Sequence, residues 1–477
     1  MAPSTNEIVE QLTALLGSKG VLQNAADTGR YVEDWAGHRR GQPLVVARPA
    51  TTEEVAAVVR FCHVNGLRMA PQGGHTGLVD GALPAETNDE VIISLERLNR
   101  IHAIDPVSFT MEVDGGCILE DIKQAAQREQ CFFPLAFAAQ GSCQIGGNIA
   151  TNAGGLNVLR YGVTRELVLG LEVVLPDGRI WNGLKALRKD NRGYNLKQLF
   201  IGSEGTLGII TRAVLKLFPE PEHTSTALLA VPSVEAAVQL YGMARRGCSD
   251  LLSAFELIPR ACLELAFEAA SQLSDPLACA YPYYVLMEAS ATGPVDLDTM
   301  VEQLVENAME ASLVLDGVLA SSAAQAERLW LIRESMLEGQ RARGHHLRTD
   351  IAVPLSRLAA FVEETTAAVE QASPESSVLV YGHIGDGNLH YNILPPPALD
   401  DTAKTRLLHE LEEIIFTVLD RFDGSISAEH GIGRLKQAAW LRRTSNDELA
   451  LLAGIKATFD PDQLLTVGRI LPAPDIR

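Results

Sequence analysis

The chain is short of most features that assign a protein at a glance. Its seven cysteines, Cys62, Cys117, Cys131, Cys143, Cys248, Cys262 and Cys279, are odd in number, scattered and never spaced C-x-x-C. They read as reduced, mostly buried thiols of an intracellular protein and not as a disulfide framework. No run of about 18 or more apolar residues occurs, which leaves no candidate for a membrane-spanning helix. The opening MAPSTNEIVEQL has neither a basic start followed by an apolar run nor the Arg-rich, acid-free character of a transit peptide, so the cytoplasm is the expected location. Basic residues are outnumbered, with a formal net charge of −20 and no basic stripe, so nucleic-acid binding is not expected. A small acidic substrate would have to be met by a local group of Arg or Lys. Neither the Rossmann pattern G-x-G-x-x-G after a first strand nor the P-loop pattern G-x-x-x-x-G-K-[ST] is present. The tryptophans and methionines form no stacking or groove pattern, and there is no internal repeat.

What is present is length and apolar content. A chain of 477 residues, 47% of them hydrophobic, can bury more than one core, which favours two or three domains. After an N-terminal helical segment, 1–40, the stretch 41–220 alternates β-rich runs with single helices. TTEEVAAVVRFCHVNG carries a capping-box start at Thr51 and Glu54 and a stop at Gly66, while VIISL, FTMEVDGG, LEVVLPDGRIW and IITRAVLKLF read as strands. Pro219-Glu220-Pro221 reads as a linker. Beyond it, in 221–440, STALLAVPS, YYVLMEAS and SSVLVYGHIG look like strands and SVEAAVQLYGMARRG, TMVEQLVENAMEASL and AAQAERLWLIRESMLEG like helices. A C-terminal helical segment, 441–477, closes the chain. The expected class is α+β in both domains.

Two glycine-rich segments stand out in the first of these. RMAPQGGHTGLVDGA, Arg68 to Ala82, follows a strand, and Gly73, Gly74 and Gly77 allow close approach of backbone to a ligand, with successive N–H groups able to cradle phosphate oxygens. Alone it reads equally well as a connecting loop. GSCQIGGNIATNAGG, Gly141 to Gly155, combines glycines, small side chains and amides, and two such segments in one domain point to an extended dinucleotide.

These two loops, with LKQLFIGSEGTLGIIT from Leu196 to Thr211, resemble the FAD domain of the vanillyl-alcohol-oxidase type, also called PCMH-type. The branch resembled is that of FAD-linked D-2-hydroxyacid dehydrogenases, and PQGGHTGLVDG with RKDNRGYNLKQLF is similar to its hydroxyglutarate members more than to its lactate members. The resemblance covers nearly the whole chain. It implies an antiparallel sheet in the substrate domain and a C-terminal segment packing near the FAD domain. It implies FAD contacts from Pro71, Gln72, Gly73, Gly74, His75, Thr76, Gly77 and Leu78, from Gly141, Ser142, Gly146, Gly147, Asn148 and Thr151, and from Gly205, Ile209 and Ile210. His75 departs from the Asn usual in hydroxyglutarate enzymes; a GGH loop resembles flavoproteins whose loop histidine bonds covalently to the flavin, so the flavin is expected to be non-covalent with a His75 link as the alternative.

A second group lies downstream in YGHIGDGNLHYNI and SISAEHGIGRLK. His383 and His390 are seven apart and cannot share a helix containing three glycines, and on one continuous strand they would point to opposite faces. A reversal at Gly385-Asp386-Gly387 removes the objection. With Glu429 they make two imidazoles and a carboxylate, the donor set of zinc-type sites that keep a position open, although two histidines beside a turn are as readily surface or satisfied core residues. In the resembled family the positions matching His383, His390 and Glu429 hold a divalent ion, zinc being expected, and the position matching His430 is the candidate base. Arg333, Arg348 and Asn392, together with His430, are the substrate-binding residues implied. Arg348 stands where Lys is usual, and Leu337 where a hydroxyl side chain is often found.

The expected chemistry follows. A divalent ion lowers the pKa of a hydroxyl by many units, His430 takes the hydroxyl proton, and a hydride leaves Cα for flavin N5. D-2-hydroxyglutarate is the expected substrate, with D-lactate, D-malate or a related acid as the alternative, and an electron-transfer flavoprotein or another acceptor as partner, with a homodimer as one expected form. A zinc hydrolase using His383, His390 and Glu429 with a bound water would need the glycine loops to be structural only, and a non-catalytic nucleotide-binding protein with a structural metal is the third reading.

Overall fold

The Thr51 hydroxyl accepts the Glu54 amide at 3.2 Å and starts the helix Thr52–Val64. The Glu54 carboxylate does not return to Thr51; it takes the amide of Ala50 at 2.7 Å, one residue farther out, so the box is closed across a wider turn. The helix buries Val55, Val58, Val59 and Cys62 against Met69, Val91 and Ile93. This is a computed structural model, and it describes residues 3–473 other than Ala36 and Arg39; the extreme ends of the expected terminal segments lie outside that range.

Contacts divide the chain into two units. The first comprises 1–155, 162–220 and 429–477, the second 156–161 and 221–428. Both terminal segments belong with the first unit, and the return to it falls between Ala428 and Glu429, earlier than the boundary near 440 read from the sequence.

In the first unit, a four-stranded sheet runs in the order Val21–Leu22, Val45–Ala47, Glu90–Ser94, Arg68–Gln72, with the last three strands parallel. Its central strand Glu90–Ser94 is buried along its whole length, as parallel strands covered on both faces are. A five-stranded antiparallel sheet, Ile101–Asp105, Thr110–Asp114, Ile209–Lys216, Val168–Val174, Ile180–Gly183, and a two-stranded one, Phe218–Pro219 with Cys131–Phe132, lie in the same unit. The C-terminal segment is pinned by Arg469, fully buried, whose guanidinium binds both oxygens of Glu90 at 2.6 and 3.0 Å.

In the second unit, Leu252–Pro259, Tyr283–Ala291, His223–Val231 and Asp316–Leu319 form an antiparallel sheet, and Ile351–Ala352, Asn388–Leu394 and Ser377–Tyr381 a smaller one. The two sheets are stitched at one point: Leu257 and Gly382 exchange both backbone hydrogen bonds, at 2.9 and 3.1 Å. That bridge sets their neighbours Glu256 and His383 side by side. The helix Ala323–Ala342 lies on Arg260–Ala269 so closely that a β-carbon at Gly339 would strike the carbonyl of Leu265. No described helix is long and apolar enough to cross a membrane.

Candidate active site

Both glycine loops lie in the first unit, and they are built against each other. Gln72, at the end of the strand Arg68–Gln72, closes the first loop: its buried amide donates to the carbonyls of Tyr31 at 2.8 Å and Ala82 at 2.7 Å, and its Oε1 meets His75 Nε2 at 2.7 Å. Gly73 lies on Gln144, and Gly74 is pressed onto the backbone of Ser142 and Cys143. Gly205, at φ 73°, faces Pro71, whose Cγ would be 2.9 Å from an added β-carbon. Gly146 in the helix Ile145–Ala150 packs on Gly115, and Thr151 bonds back to the Gly147 carbonyl at 3.1 Å. Ile209 and Ile210 are buried core positions of their strand.

The remaining positions form a bare cradle. At Gly77, Gly141 and Gly147 nothing stands within 4 Å of where a β-carbon would be. Gln144 Oε1 and Asn148 Oδ1 are buried without a hydrogen-bond partner, acceptors that await a donor such as a ribose or ribityl hydroxyl or a ring N–H. A cavity of about 510 Å³ opens alongside, lined in part by Arg30, Trp35, Gly74, His75, Thr76 and Ser142. An extended dinucleotide fits these residues. His75 is strained and covered: φ is 59°, Nε2 is engaged by Gln72, Nδ1 is buried, and the ring meets Tyr31 edge-on at 6.2 Å. Burial depresses its pKa, against the pull of Asp34.

Glu429 also belongs to this unit, with Oε2 packed over Gly154, where an added β-carbon would lie 2.7 Å away. The turn after His430 is held by a residue the sequence reading passed over. Glu204, between Ser203 and Gly205 in the third motif, accepts the amides of Ile432 and Gly433 at 2.8 and 2.7 Å. Burial pushes its carboxyl pKa up against those two donors. The signal was there in GSEG, a carboxylate among residues that have no other reason to carry one.

His383 and His390 come together in the second unit. The strand Ser377–Tyr381 pairs antiparallel with Asn388–Leu394, setting Tyr381 opposite His390 and Leu379 opposite Asn392. The reversal is a single turn at Ile384–Asp386, ended by Gly387 at φ 82°. The imidazole centroids stand 5.6 Å apart at 75°, and His390 also lies 5.2 Å from the Tyr381 ring.

Glu256 organises this group. It is 1% exposed, and its two oxygens are divided between His383 Nδ1 at 2.5 Å and Arg333 Nε at 2.8 Å. Burial alone would raise its pKa; the imidazole and the guanidinium reverse that and hold the carboxyl at about 2. Arg333 also lies over the Tyr381 ring, 5.1 Å from its centroid. Burial raises the Tyr381 phenol pKa, opposed by the positive charge of Arg333. Gln340 is seven residues beyond Arg333, hence on the same helix face, and its Oε1 accepts from Asn392 at 2.7 Å. Asn392 also donates to Tyr381 Oη at 3.1 Å and accepts from the Thr349 amide at 3.2 Å, so it braces the group. Asp350, fully buried, binds Asn388 Nδ2 at 2.9 Å and the Ala428 amide at 3.1 Å, fixing the residue that precedes Glu429. Glu256 was legible only as a lone acid in the apolar run LLSAFELIP, and Tyr381 not at all.

Comparison with known proteins bears on both units. Residues 43–183 match the model of an FAD binding domain, and residues 220–470 that of the C-terminal domain of FAD linked oxidases. The chain is 41% identical over 450 residues to a D-2-hydroxyglutarate dehydrogenase of Xanthomonas citri pv. viticola, covering 94% of each. It is 39% identical to the mitochondrial D-2-hydroxyglutarate dehydrogenase of Bos taurus, covering 92% of this chain and 79% of that one. Among solved structures, p-cresol methylhydroxylase with substrate bound superposes with a TM-score of 0.77 at 17% identity, covering 98% of this chain and 97% of the other. The FAD-binding fold is thus of the PCMH type.

Proposed function

The chain belongs to the FAD-linked oxidases and is an FAD-dependent oxidoreductase, and from that premise we propose that it oxidises D-2-hydroxyglutarate to 2-oxoglutarate with the help of a divalent ion, zinc first. One observation carries the substrate reading: in the second unit Glu256 ties Arg333 to His383, beside His390 and Tyr381, so a cation suited to a carboxylate and imidazoles suited to a metal share one buried anchor. A 2-hydroxy acid needs both.

Bound FAD supplies the two-electron acceptor for the hydride lost from Cα. A divalent ion would supply a Lewis acid that lowers the pKa of the substrate hydroxyl. His383, His390 and Glu429 are the ligands proposed for that ion. Arg333 spends Nε on Glu256 and keeps its two terminal nitrogens for a substrate carboxylate, and Arg348 serves the second carboxylate of a dicarboxylic acid. His430, on the turn fixed by Glu204, receives the hydroxyl proton. The FAD is held non-covalently, with His75 Nε2 engaged by Gln72 Oε1. An electron-transfer flavoprotein or a comparable acceptor would take up the electrons.

Anaerobic reduction tests the reading. The purified yellow protein should bleach with D-2-hydroxyglutarate and not with the L isomer. Bleaching by D-lactate or D-malate alone would replace the substrate, and a protein without flavin that hydrolyses esters or amides would sink the oxidase reading altogether.

A further inference from the structure

We propose that Glu256 is a positioning residue that selects the ligating nitrogen of His383 and at the same time orients Arg333, so that the metal site and the carboxylate site are set by one side chain. This rests on the metal reading above. The strand Leu252–Pro259 delivers Glu256 through the Leu257–Gly382 bridge, so its place beside His383 is fixed by backbone pairing and not by side-chain choice. Its Oε2 faces Arg333 Nε at 2.8 Å and its Oε1 faces His383 Nδ1 at 2.5 Å.

The guanidinium is a permanent donor, so the carboxyl group is an acceptor toward it, and the paired charge favours the carboxylate at both oxygens. His383 Nδ1 must then carry the proton. Its Nε2 is left with the lone pair, and an anionic partner on the far side of the ring makes that nitrogen a stronger ligand. Burial excludes water from taking over either bond: Glu256 is 1% exposed and His383 8%.

Glutamine at 256 has the same shape and half the acceptors. If its Oε1 serves His383, its NH₂ meets the Arg333 donor; if its NH₂ turns to His383, Nδ1 must accept, the proton moves to Nε2, and the ligand is lost. Aspartate keeps both acceptors with a shorter reach.

The test uses the intact flavoprotein, stripped of metal by chelation and titrated with zinc against a chromophoric competitor. Glu256→Gln is expected to weaken zinc roughly 10- to 100-fold, the range for a carboxylate behind a metal-bound imidazole, with the flavin spectrum unchanged and KM for D-2-hydroxyglutarate raised. Glu256→Asp is expected to recover part of the zinc affinity. If Glu256→Gln does not fold because Arg333 is stranded, Glu256→Leu/Arg333→Met removes the stranded cation together with every acceptor at 256 and is measured the same way, with the same loss expected. Zinc binding within about twofold of the parent in either variant would overturn the proposal. A parent protein that takes up no zinc would overturn the metal reading and this one with it, an outcome distinct from tight zinc binding that ignores residue 256.

Discussion

A β-carbon at Gly74 would collide with the carbonyl oxygen of Ser142, so the two glycine-rich loops approach each other backbone to backbone. Gly147, by contrast, faces open space. Gly74→Ala should therefore force the loops apart, lowering the melting temperature and abolishing flavin retention together. Gly147→Ala should leave the apoprotein at least as stable, since alanine favours its helix, yet lose flavin because the methyl occupies the cradle. Flavin absorbance per protein and thermal unfolding separate the two; equal flavin content in Gly147→Ala would mean the cofactor does not pass over that residue.

The engagement of His75 Nε2 by Gln72 bears on attachment. Acid precipitation should release all the flavin into the supernatant, and His75→Asn, the residue usual at this position in the resembled enzymes, should bind FAD. Yellow colour remaining in the washed pellet would establish a covalent bond instead.

Removing the proposed ion should stop turnover and spare the flavin. Prolonged chelation, or His390→Ala, should reduce the rate of anaerobic flavin bleaching by several orders of magnitude, with zinc restoring the chelated parent and not the variant. Full activity in chelator would remove His383, His390 and Glu429 as ligands.

Arg348 should tell a dicarboxylate from a monocarboxylate. Arg348→Met deletes a charge-assisted bond of about 1.5–3 kcal/mol, so KM for D-2-hydroxyglutarate should rise roughly tenfold to a hundredfold while any reduction by D-lactate stays as it was. An equal effect on both acids would place Arg348 at the shared C1 carboxylate.

The Glu90–Arg469 pair anchors the C-terminal segment with both side chains fully buried. Arg469→Met leaves the buried Glu90 carboxylate with the Ala85 amide at 2.7 Å and Arg434 at 4.0 Å and should cost about 3 kcal/mol in denaturant unfolding, whereas Glu90→Gln/Arg469→Met, which removes both charges, should recover much of it. A loss below about 1 kcal/mol in the single variant would show that the segment is held by other contacts.

The sequence by itself determined a great deal that is local. Alternation and capping residues placed the strands and helices, because backbone propensity and hydrophobic period act over a few residues; the turn at Gly385-Asp386-Gly387 was legible for the same reason, since only glycine-rich chain reverses so tightly. The motifs carrying the flavin resemblance were equally readable. Tertiary structure alone decided what depends on distant strands meeting. Glu256 lies 127 residues before His383, and nothing short of the Leu257–Gly382 bridge pairs them. The same holds for Glu204 beneath the turn after His430, for Arg469 on Glu90, and for Asn392, whose amide binds Gln340, Tyr381 and Thr349. A buried charge in an apolar run announces that it has a partner, because burial without one costs too much; which partner is a matter of topology, and no window of sequence contains it.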